Sequence, residues 1–209
     1  MRSVPPLPEP TDTYWLAILS DTLFVERGPY MPITIRQTLA SDVAAAEACL
    51  CDGKRALATM GIPQWQDEYP NRIDIEADRA DGASYVAVDD GGTVLGVMAL
   101  SLSGEETYDD IDGSWLTASD SAHPTYAVIH RCAISADAAR QGVMTAMFIE
   151  GERIARERGA LSMRIDTHER NIPLQGLVAK LGYTRCGVIA LPYPEESDPM
   201  RVAFEKLLV

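Results

Sequence analysis

The side chains best suited to take part in a reaction lie in an apolar stretch from Tyr126 to Ile134, which contains His130 and Cys132. Strand alternation would place Val128, His130 and Cys132 on one face. Because imidazole titrates near neutral pH, His130 is a candidate proton acceptor, and the alternative is a structural histidine hydrogen-bonded near the core. Cys132 could act as a nucleophile, but a buried structural thiol is the better interpretation.

A second alternating stretch, residues 161–167, leads to another polar group. Asp166 and His168 share a face at its end. Asp166 could orient an imidazole or hold a cationic ligand, and His168 is a second candidate proton acceptor. A structural histidine is again the alternative.

Between these two stretches, the segment from Arg140 to Thr145 precedes a helical pattern. The first turn of a helix leaves backbone N–H groups unpaired, and the helix dipole adds partial positive charge there. Gly142 keeps the loop free of a bulky side chain, and Arg140 adds a formal charge. The segment predicts binding of a phosphate-bearing ligand, although one glycine and one arginine are a weak signal by themselves.

Periodic patterns predict the elements that position these groups. Apolar alternation predicts a first strand at Ile33 and Ile35 and further strands over 84–88, 93–100, 126–134, 161–167, 183–190 and 201–207. Helical spacing and capping residues predict helices over 41–61, which Gly53 could divide, and over 71–82, 142–159 and 171–182. This order of elements predicts a mixed α/β sheet.

Two loops carry further polar and aromatic residues. The loop 61–70 contains Trp65 and Tyr69, which could line a substrate pocket or only cover the core. The acidic segment 103–124 is predicted to be a solvated loop, because a calcium site would need more oxygen ligands in a regular spacing. We predict no metal site.

Composition limits the class of protein. A chain of 209 residues with 46% apolar composition can bury one sizeable core, and it contains no apolar run long enough to span a membrane. A formal charge of −13 argues against nucleic-acid binding and either confers solubility or favours cationic partners. The spacing of the four cysteines favours reduced thiols in a cytoplasmic protein.

The first 30 residues are interpreted as an N-terminal extension rich in proline. Met31 opens a fresh strand pattern and could be the true translation start. In the alternative, the extension packs on the domain or on a partner through Trp15, Leu16 and Phe24.

Several of these motifs together resemble the GNAT superfamily of acetyl-CoA-dependent N-acetyltransferases. The resemblance runs from about Ile33 to the end of the chain and is carried by the loop segment 140–143, by Asn171 at the start of the next helix and by residues 180–183 at its end. Asp166, His168, Asn171, Gln175 and the pair Cys186-Gly187 are similar to a bacterial subgroup of largely unassigned substrate.

The resemblance implies a single domain over 31–209, with a mostly antiparallel twisted sheet that splays between its fourth and fifth core strands. It implies that acetyl-CoA pairs through its pantetheine with the backbone of Cys132 and Ile134, and that Asn171 reaches the pantetheine or adjacent backbone. The implied pyrophosphate site consists of Arg140, Gln141, Gly142, Val143, Met144 and Thr145.

The chain departs from the family pattern at four positions. Ala139 replaces a basic residue or glutamine, and Met144 replaces a small residue and could shift the loop. Val128 stands where some members have a glutamate base, and Val178 where many have a tyrosine acid. Neither catalytic role can therefore be carried over.

The implied reaction moves an acetyl group from acetyl-CoA to a primary amine by direct attack in a ternary complex. The resemblance assigns the backbone N–H of Cys132 to the developing oxyanion, and we rank His130 before His168 as proton acceptor. Trp65, Tyr69 and Asp166 are the candidate substrate-binding residues. The amine could belong to a small molecule or a protein, and dimers are common in the family. The alternative function is a non-catalytic acetyl-CoA-binding sensor.

Overall fold

The computed structural model describes residues 24–26, 32–192 and 198–208. The prediction for residues 1–30 therefore lies outside the described residues, apart from the short strand 24–26. In this part of the chain, no helix has the length and apolar character needed to cross a membrane.

A nine-stranded sheet and four α-helices make up the described fold. The strands are β1 (Phe24–Glu26), β2 (Pro32–Gln37), β3 (Ser84–Val88), β4 (Val94–Ser101), β5 (Ile111–Gly113), β6 (Tyr126–Ile134), β7 (Ser162–Thr167), β8 (Thr184–Ala190) and β9 (Met200–Leu207). The helices are α1 (Val43–Thr59), α2 (Arg72–Ala80), α3 (Val143–Glu157) and α4 (Ile172–Lys180). The strand order is β1-β2-β3-β4-β6-β7-β9-β8-β5.

The sheet opens in its middle, between β6 and β7. All other neighbouring strands are antiparallel, whereas β6 and β7 are parallel and pair only from Tyr126–Ser162 to Val128–Arg164. Beyond Val128 the two strands separate, because β6 continues to Ile134 without a partner on that side. The predicted mixed, mostly antiparallel fold with a splay between the fourth and fifth core strands is confirmed.

The two faces of the sheet are covered by different helices. Helix α3 buries Val143, Met147 and Phe148 on one face, and α1 buries Val43 and Leu50 on the other. Burying an aliphatic or aromatic side chain stabilises the fold by about 1.5–3 kcal/mol, so these contacts hold both helices firmly against the sheet. The ends of β6 and β7 are thereby fixed relative to the start of α3.

Gly53 does not divide α1, which runs unbroken from Val43 to Thr59. A Cβ atom at this position would lie 3.0 Å from the Cβ of Ala133 and 3.4 Å from the Trp65 ring. The glycine therefore permits close packing of α1 on β6.

The segment 103–124 is more than the solvated loop that its composition predicts. Asp109, Asp110 and Asp112 are exposed, but Tyr108 is buried and β5 pairs with β8 at the sheet edge. Tyr108 lies 5.0 Å from Trp115, measured between ring centroids. The acidic segment therefore contains a buried tyrosine that attaches it to the rest of the fold, and only the tertiary packing shows this.

A buried ion pair ties this segment to the sheet. The Arg164 guanidinium lies over the rings of Trp115 and Tyr126, at 4.2 and 3.8 Å from their centroids, and its Nε donates to Glu205 at 3.0 Å. Glu205 also accepts hydrogen bonds from the Ser162 hydroxyl and from the Thr117 backbone and hydroxyl. This network fixes the loop that carries Tyr108.

Candidate active site

A cavity of about 610 Å³ opens where β6 and β7 separate. Residues from four parts of the chain line it: Gln64, Trp65, Asp67, Glu68 and Tyr69 from the α1–α2 loop, Glu105 and Thr107 from the segment after β4, His130, Arg131 and Asp166 from the two strands, and Leu191 and Arg201 from the β8–β9 region. The cavity therefore joins three of the residues proposed to bind substrate with His130.

A β-bulge shapes β6 beside this cavity. His130 pairs with Ala99 and Ala133 pairs with Val97, so Arg131 and Cys132 together oppose a single residue of β4. Arg131 has a φ angle of +47°, which is uncommon for a residue with a side chain. The bulge takes the backbone of Arg131 and Cys132 out of the regular hydrogen-bond ladder at the splay.

The Arg131 side chain holds the α2 region against the bulge. Its guanidinium donates to both carboxylate oxygens of Asp78, at 2.8 and 2.5 Å, and to the Tyr69 hydroxyl at 3.0 Å. Although burial opposes its charge, these bonds raise the pKa of Arg131 above its usual value. Its positive charge is therefore largely matched by Asp78.

His130 faces Glu105 across a short gap. Its Nε2 atom lies 3.4 Å from Oε2 of Glu105, and the two side chains are 21% and 25% exposed. Burial lowers the pKa of His130 to about 4, an effect that Asp166 opposes and Arg131 reinforces. The imidazole is consequently neutral at pH 7, which is the form that can accept a proton.

Asp166 lies on β7 across the splay from His130. Its Oδ1 accepts a hydrogen bond of 2.8 Å from the Tyr108 hydroxyl. Burial raises the pKa of Asp166, while His130, the Tyr108 hydroxyl and Arg201 act in the opposite direction. The carboxyl group is held in one position by a donor from the segment after β4.

His168 occupies different surroundings. Its side chain is fully buried, its Nε2 lies 2.8 Å from Oδ2 of Asp198, and its Nδ1 accepts the backbone N–H of Arg170 at 3.1 Å. With Nδ1 as acceptor, Nε2 carries the proton and donates to Asp198. Both ring nitrogens thus serve the β7–α4 turn, and His168 does not line the cavity.

The thiol of Cys132 is unreactive. Burial raises the pKa of its thiol to about 12, and the side chain packs against the main core. A thiol with such a pKa stays protonated at neutral pH and is a poor nucleophile. None of the four cysteines, all within the described residues, forms a disulfide.

The segment from Arg140 to Thr145 has the geometry of an anion-binding loop. Gly142 has a φ angle of +79°, no side chain caps α3, and the first intrahelical bond is donated by Ala146 to the Gly142 carbonyl. The backbone N–H groups of Val143 to Thr145 therefore precede that bond, and a Cβ at Gly142 would meet only open space. Met144 packs partly against the core, so its bulk is directed into the domain.

Two further contacts position this loop. The Asp52 side chain on α1 accepts the backbone N–H of Ala136 at 2.8 Å, just after β6. The Gln141 side-chain amide donates to the Asp137 carbonyl at 2.5 Å. Arg140 itself is exposed with a φ angle of +59°.

Asn171 caps α4 and is bonded within the chain. Its Oδ1 accepts the backbone N–H of Leu174 at 3.3 Å, and its Nδ2 donates to the Thr167 hydroxyl at 3.1 Å. The side chain thus joins the end of β7 to the start of α4, close to the edge of the splay.

Sequence reasoning missed Glu105 and Tyr108, which the segment after β4 brings to His130 and Asp166. The only available signal was the presence of a tyrosine and a glutamate within an otherwise acidic loop. In the described part of the chain, no group of three or more His, Cys, Asp or Glu side chains is arranged to hold a metal ion.

The site thus combines an opened mixed sheet, a bulged strand and a loop whose backbone N–H groups precede the first hydrogen bond of a helix. Residues 52–183 match the model of the acetyltransferase (GNAT) family. The chain belongs to that family of acetyltransferases.

Solved structures support the same assignment. A GNAT-family acetyltransferase from Streptococcus agalactiae is 31% identical, with a TM-score of 0.71 over 85% of this chain and 97% of that one. A GNAT-family acetyltransferase from Listeria monocytogenes shares the fold at 17% identity, with a TM-score of 0.66 over 88% of this chain and 99% of that one. None of the curated proteins compared with the chain matches it significantly.

Proposed function

We propose that the protein transfers an acetyl group from acetyl-CoA to a primary amine, by direct attack of the amine in a ternary complex. The observation that supports this proposal is the splay between β6 and β7. It opens the cavity of about 610 Å³, here called the acceptor cavity, which His130 lines, and the bulge after His130 includes Cys132 on the strand that leads to the loop before α3.

Acetyl-CoA fits the groups that the chain offers. Its pyrophosphate would accept hydrogen bonds from the backbone N–H groups of Val143 to Thr145, with Arg140 and Gln141 at the entrance and Gly142 leaving room. Its pantetheine amides would pair with the free edge of β6 at Cys132 and Ile134, since β7 has diverged there. Asn171 would lie beside the pantetheine. When bound, acetyl-CoA supplies the thioester as acetyl donor.

The remaining chemistry falls to groups on β6. His130 would accept the proton that the amine loses as it attacks, because its imidazole is neutral and lines the cavity. The backbone N–H of Cys132 would donate to the carbonyl oxygen as negative charge develops on it. His168, whose ring nitrogens are both engaged, would support the β7–α4 turn instead.

The cavity's charge favours an amine acceptor. Four carboxylates line it: Asp67, Glu68, Glu105 and Asp166. Of the two lining arginines, Arg131 is bound to Asp78, and Arg201 donates to the backbone carbonyls of Asp198 and Met200. Trp65 and Tyr69 provide apolar contact surface for the carbon chain of such an acceptor. Asp166 would hold the ammonium form before it loses its proton.

Thiol release from acetyl-CoA, measured across a panel of primary amines, tests this function. We expect acetylated amine and free CoA to form in equal amounts. No burst of free CoA should precede addition of the amine, because direct attack forms no acetyl-enzyme. Acetyl-CoA binding without turnover on any amine would instead support a non-catalytic sensor. The sensor is the second candidate function because the buried Val128 and Val178 stand where some family members have a glutamate base and many have a tyrosine acid.

A further inference from the structure

We propose that Glu105 is a positioning residue for His130, and that its carboxylate relays the proton from the imidazole into a second cavity that the same pair lines. This inference rests on the proposed function.

The Glu105 carboxylate is fixed in place by its own loop. Its Oε1 accepts hydrogen bonds from the Thr107 hydroxyl at 2.9 Å and the Thr107 backbone at 3.3 Å. The Glu105 backbone N–H donates to the Tyr126 hydroxyl at 3.0 Å, which ties the residue to the start of β6. With Oε1 occupied in this way, Oε2 is left facing Nε2 of His130 at 3.4 Å.

Glu105 and His130 stand between two cavities. The second cavity has a volume of about 290 Å³, and it shares three lining residues with the acceptor cavity: Glu105, His130 and Arg131. Its other polar lining residues include Asp78, Asp81, Ser101 and Arg158. A proton accepted from the acceptor cavity can therefore reach polar groups that do not line that cavity.

The charges around His130 explain why it needs this partner. Asp166 faces it from β7, Arg131 adjoins it on β6, and Glu105 faces it from the segment after β4. Burial and Arg131 both disfavour the imidazolium, and the Asp166 oxygen Oδ1 is already hydrogen-bonded to Tyr108. The Glu105 carboxylate supplies a second negative charge close enough to stabilise the imidazolium while it lasts.

The bound ammonium first loses one proton to solvent and becomes the neutral amine. The amine nitrogen then forms a bond to the acetyl carbonyl carbon, and the bond from that carbon to sulfur breaks. A second N–H proton passes to His130 and then, through Glu105, to solvent in the second cavity. The departing thiolate takes a proton from solvent, so the products are the N-acetylated amine and CoA thiol.

The variant Glu105→Gln tests the carboxylate without removing the side chain. Its amide oxygen can still accept the bonds from Thr107, but its charge is gone. We expect kcat to fall about tenfold or more, because the imidazolium loses a stabilising charge. The KM for the amine should rise less than this, since three lining carboxylates remain, and the Kd for acetyl-CoA should be unchanged. The acidic limb of the pH–rate profile should move to lower pH, because loss of a negative charge favours neutral His130. The neighbouring exposed Glu106 provides the matched control, Glu106→Gln, which should behave as wild type.

A rescue experiment separates relay from structural support. Formate added to Glu105→Ala, in the presence of acetyl-CoA and an accepted amine, should restore part of kcat with saturation. Folding of each variant is checked by its thermal unfolding midpoint. Full activity in Glu105→Gln, or a loss in a folded Glu105→Ala that formate leaves unchanged, overturns the relay while the wild-type turnover still supports the proposed function. Absence of wild-type turnover on every amine overturns the proposed function itself.

Discussion

The Tyr108 hydroxyl donates a 2.8 Å hydrogen bond to Asp166, across 58 positions of the chain and from a loop to the splayed strand β7. Tyr108 is buried, and burial together with the nearby Asp166 carboxylate raises its pKa well above 10. It therefore remains a proton donor throughout the working range of pH. The contact fixes the Asp166 carboxyl group, which lines the acceptor cavity.

Removing this donor should alter both stability and titration. We expect Tyr108→Phe to lower the free energy of unfolding by about 1–2 kcal/mol, because Asp166 loses a buried hydrogen bond. The pKa of Asp166 should rise further, since the lost bond favoured its ionised form, and the KM for a cationic amine should increase near that pKa. A double-mutant cycle with Asp166→Asn measures the coupling; purely additive effects would contradict the proposed link.

The role proposed for His130 predicts a loss confined to turnover. His130→Ala should lower kcat about a hundredfold, the usual scale of general base catalysis, while calorimetry shows an unchanged Kd for acetyl-CoA. The exposed His123 supplies the control variant His123→Ala. In the wild type, burial lowers the pKa of His130 to about 4, so activity should persist as pH falls from 7 and be lost as the imidazole protonates near pH 4. A pH–rate profile in His130→Ala that matches wild type would exclude the assignment.

A change of charge in the loop before α3 should act on acetyl-CoA alone. Arg140→Glu should raise the Kd for acetyl-CoA about tenfold, which corresponds to about 1.4 kcal/mol, because the reversed charge repels the pyrophosphate. Arg185→Glu reverses the charge of another exposed arginine, on β8, and should leave the Kd unchanged. Calorimetry at low salt gives both values. Equal affinity in Arg140→Glu and wild type would show that Arg140 does not face the phosphates.

His168 should prove structural. Replacing it by alanine removes the bonds to Asp198 and Arg170 from a buried site, so we expect a loss of about 2–3 kcal/mol in unfolding free energy. At a temperature where the variant is folded, the pH dependence of kcat should match wild type. Chemical denaturation and a pH–rate profile test the two statements. An acidic limb at a different pH in the variant's pH–rate profile would indicate that His168 is a proton acceptor after all.

The buried pair of Arg164 and Glu205 should govern acid stability. Burial raises the pKa of Glu205, but hydrogen bonds from Ser162, Thr117 and Arg164 outweigh it and hold the pKa below its usual value. The resulting stabilisation is present above the unfolded-state value of about 4.5 and is lost as pH falls through the lower folded-state value. Glu205→Gln should cost about 3 kcal/mol or more at pH 7, by leaving the buried Arg164 without its counter-ion, and should weaken the acid dependence. The control Glu157→Gln changes an exposed pair and should alter stability by less than about 0.5 kcal/mol.

The sequence predicted the helix starts beside the candidate site, because these depend on local backbone. Gly142 before an amphipathic helix and Asn171 before the next helix act within a few residues of themselves, and both capping geometries occur in the structure. Strand alternation likewise placed His130 on β6. The possible division of α1 at Gly53 does not occur, and the glycine instead permits close packing against Ala133, 80 positions further along the chain.

Local patterns determined the order of elements, because helix and strand periods, caps and glycine positions are properties of neighbouring residues. The family was indicated by a resemblance in short motifs. Only the tertiary structure decided which polar side chains meet. Glu105 reaches His130, and Tyr108 reaches Asp166, because the segment after β4 is pinned across the sheet by Arg164 and Glu205. These side-chain contacts depend on the order and divergence of the strands in the sheet, and residue spacing along the chain does not encode either of them.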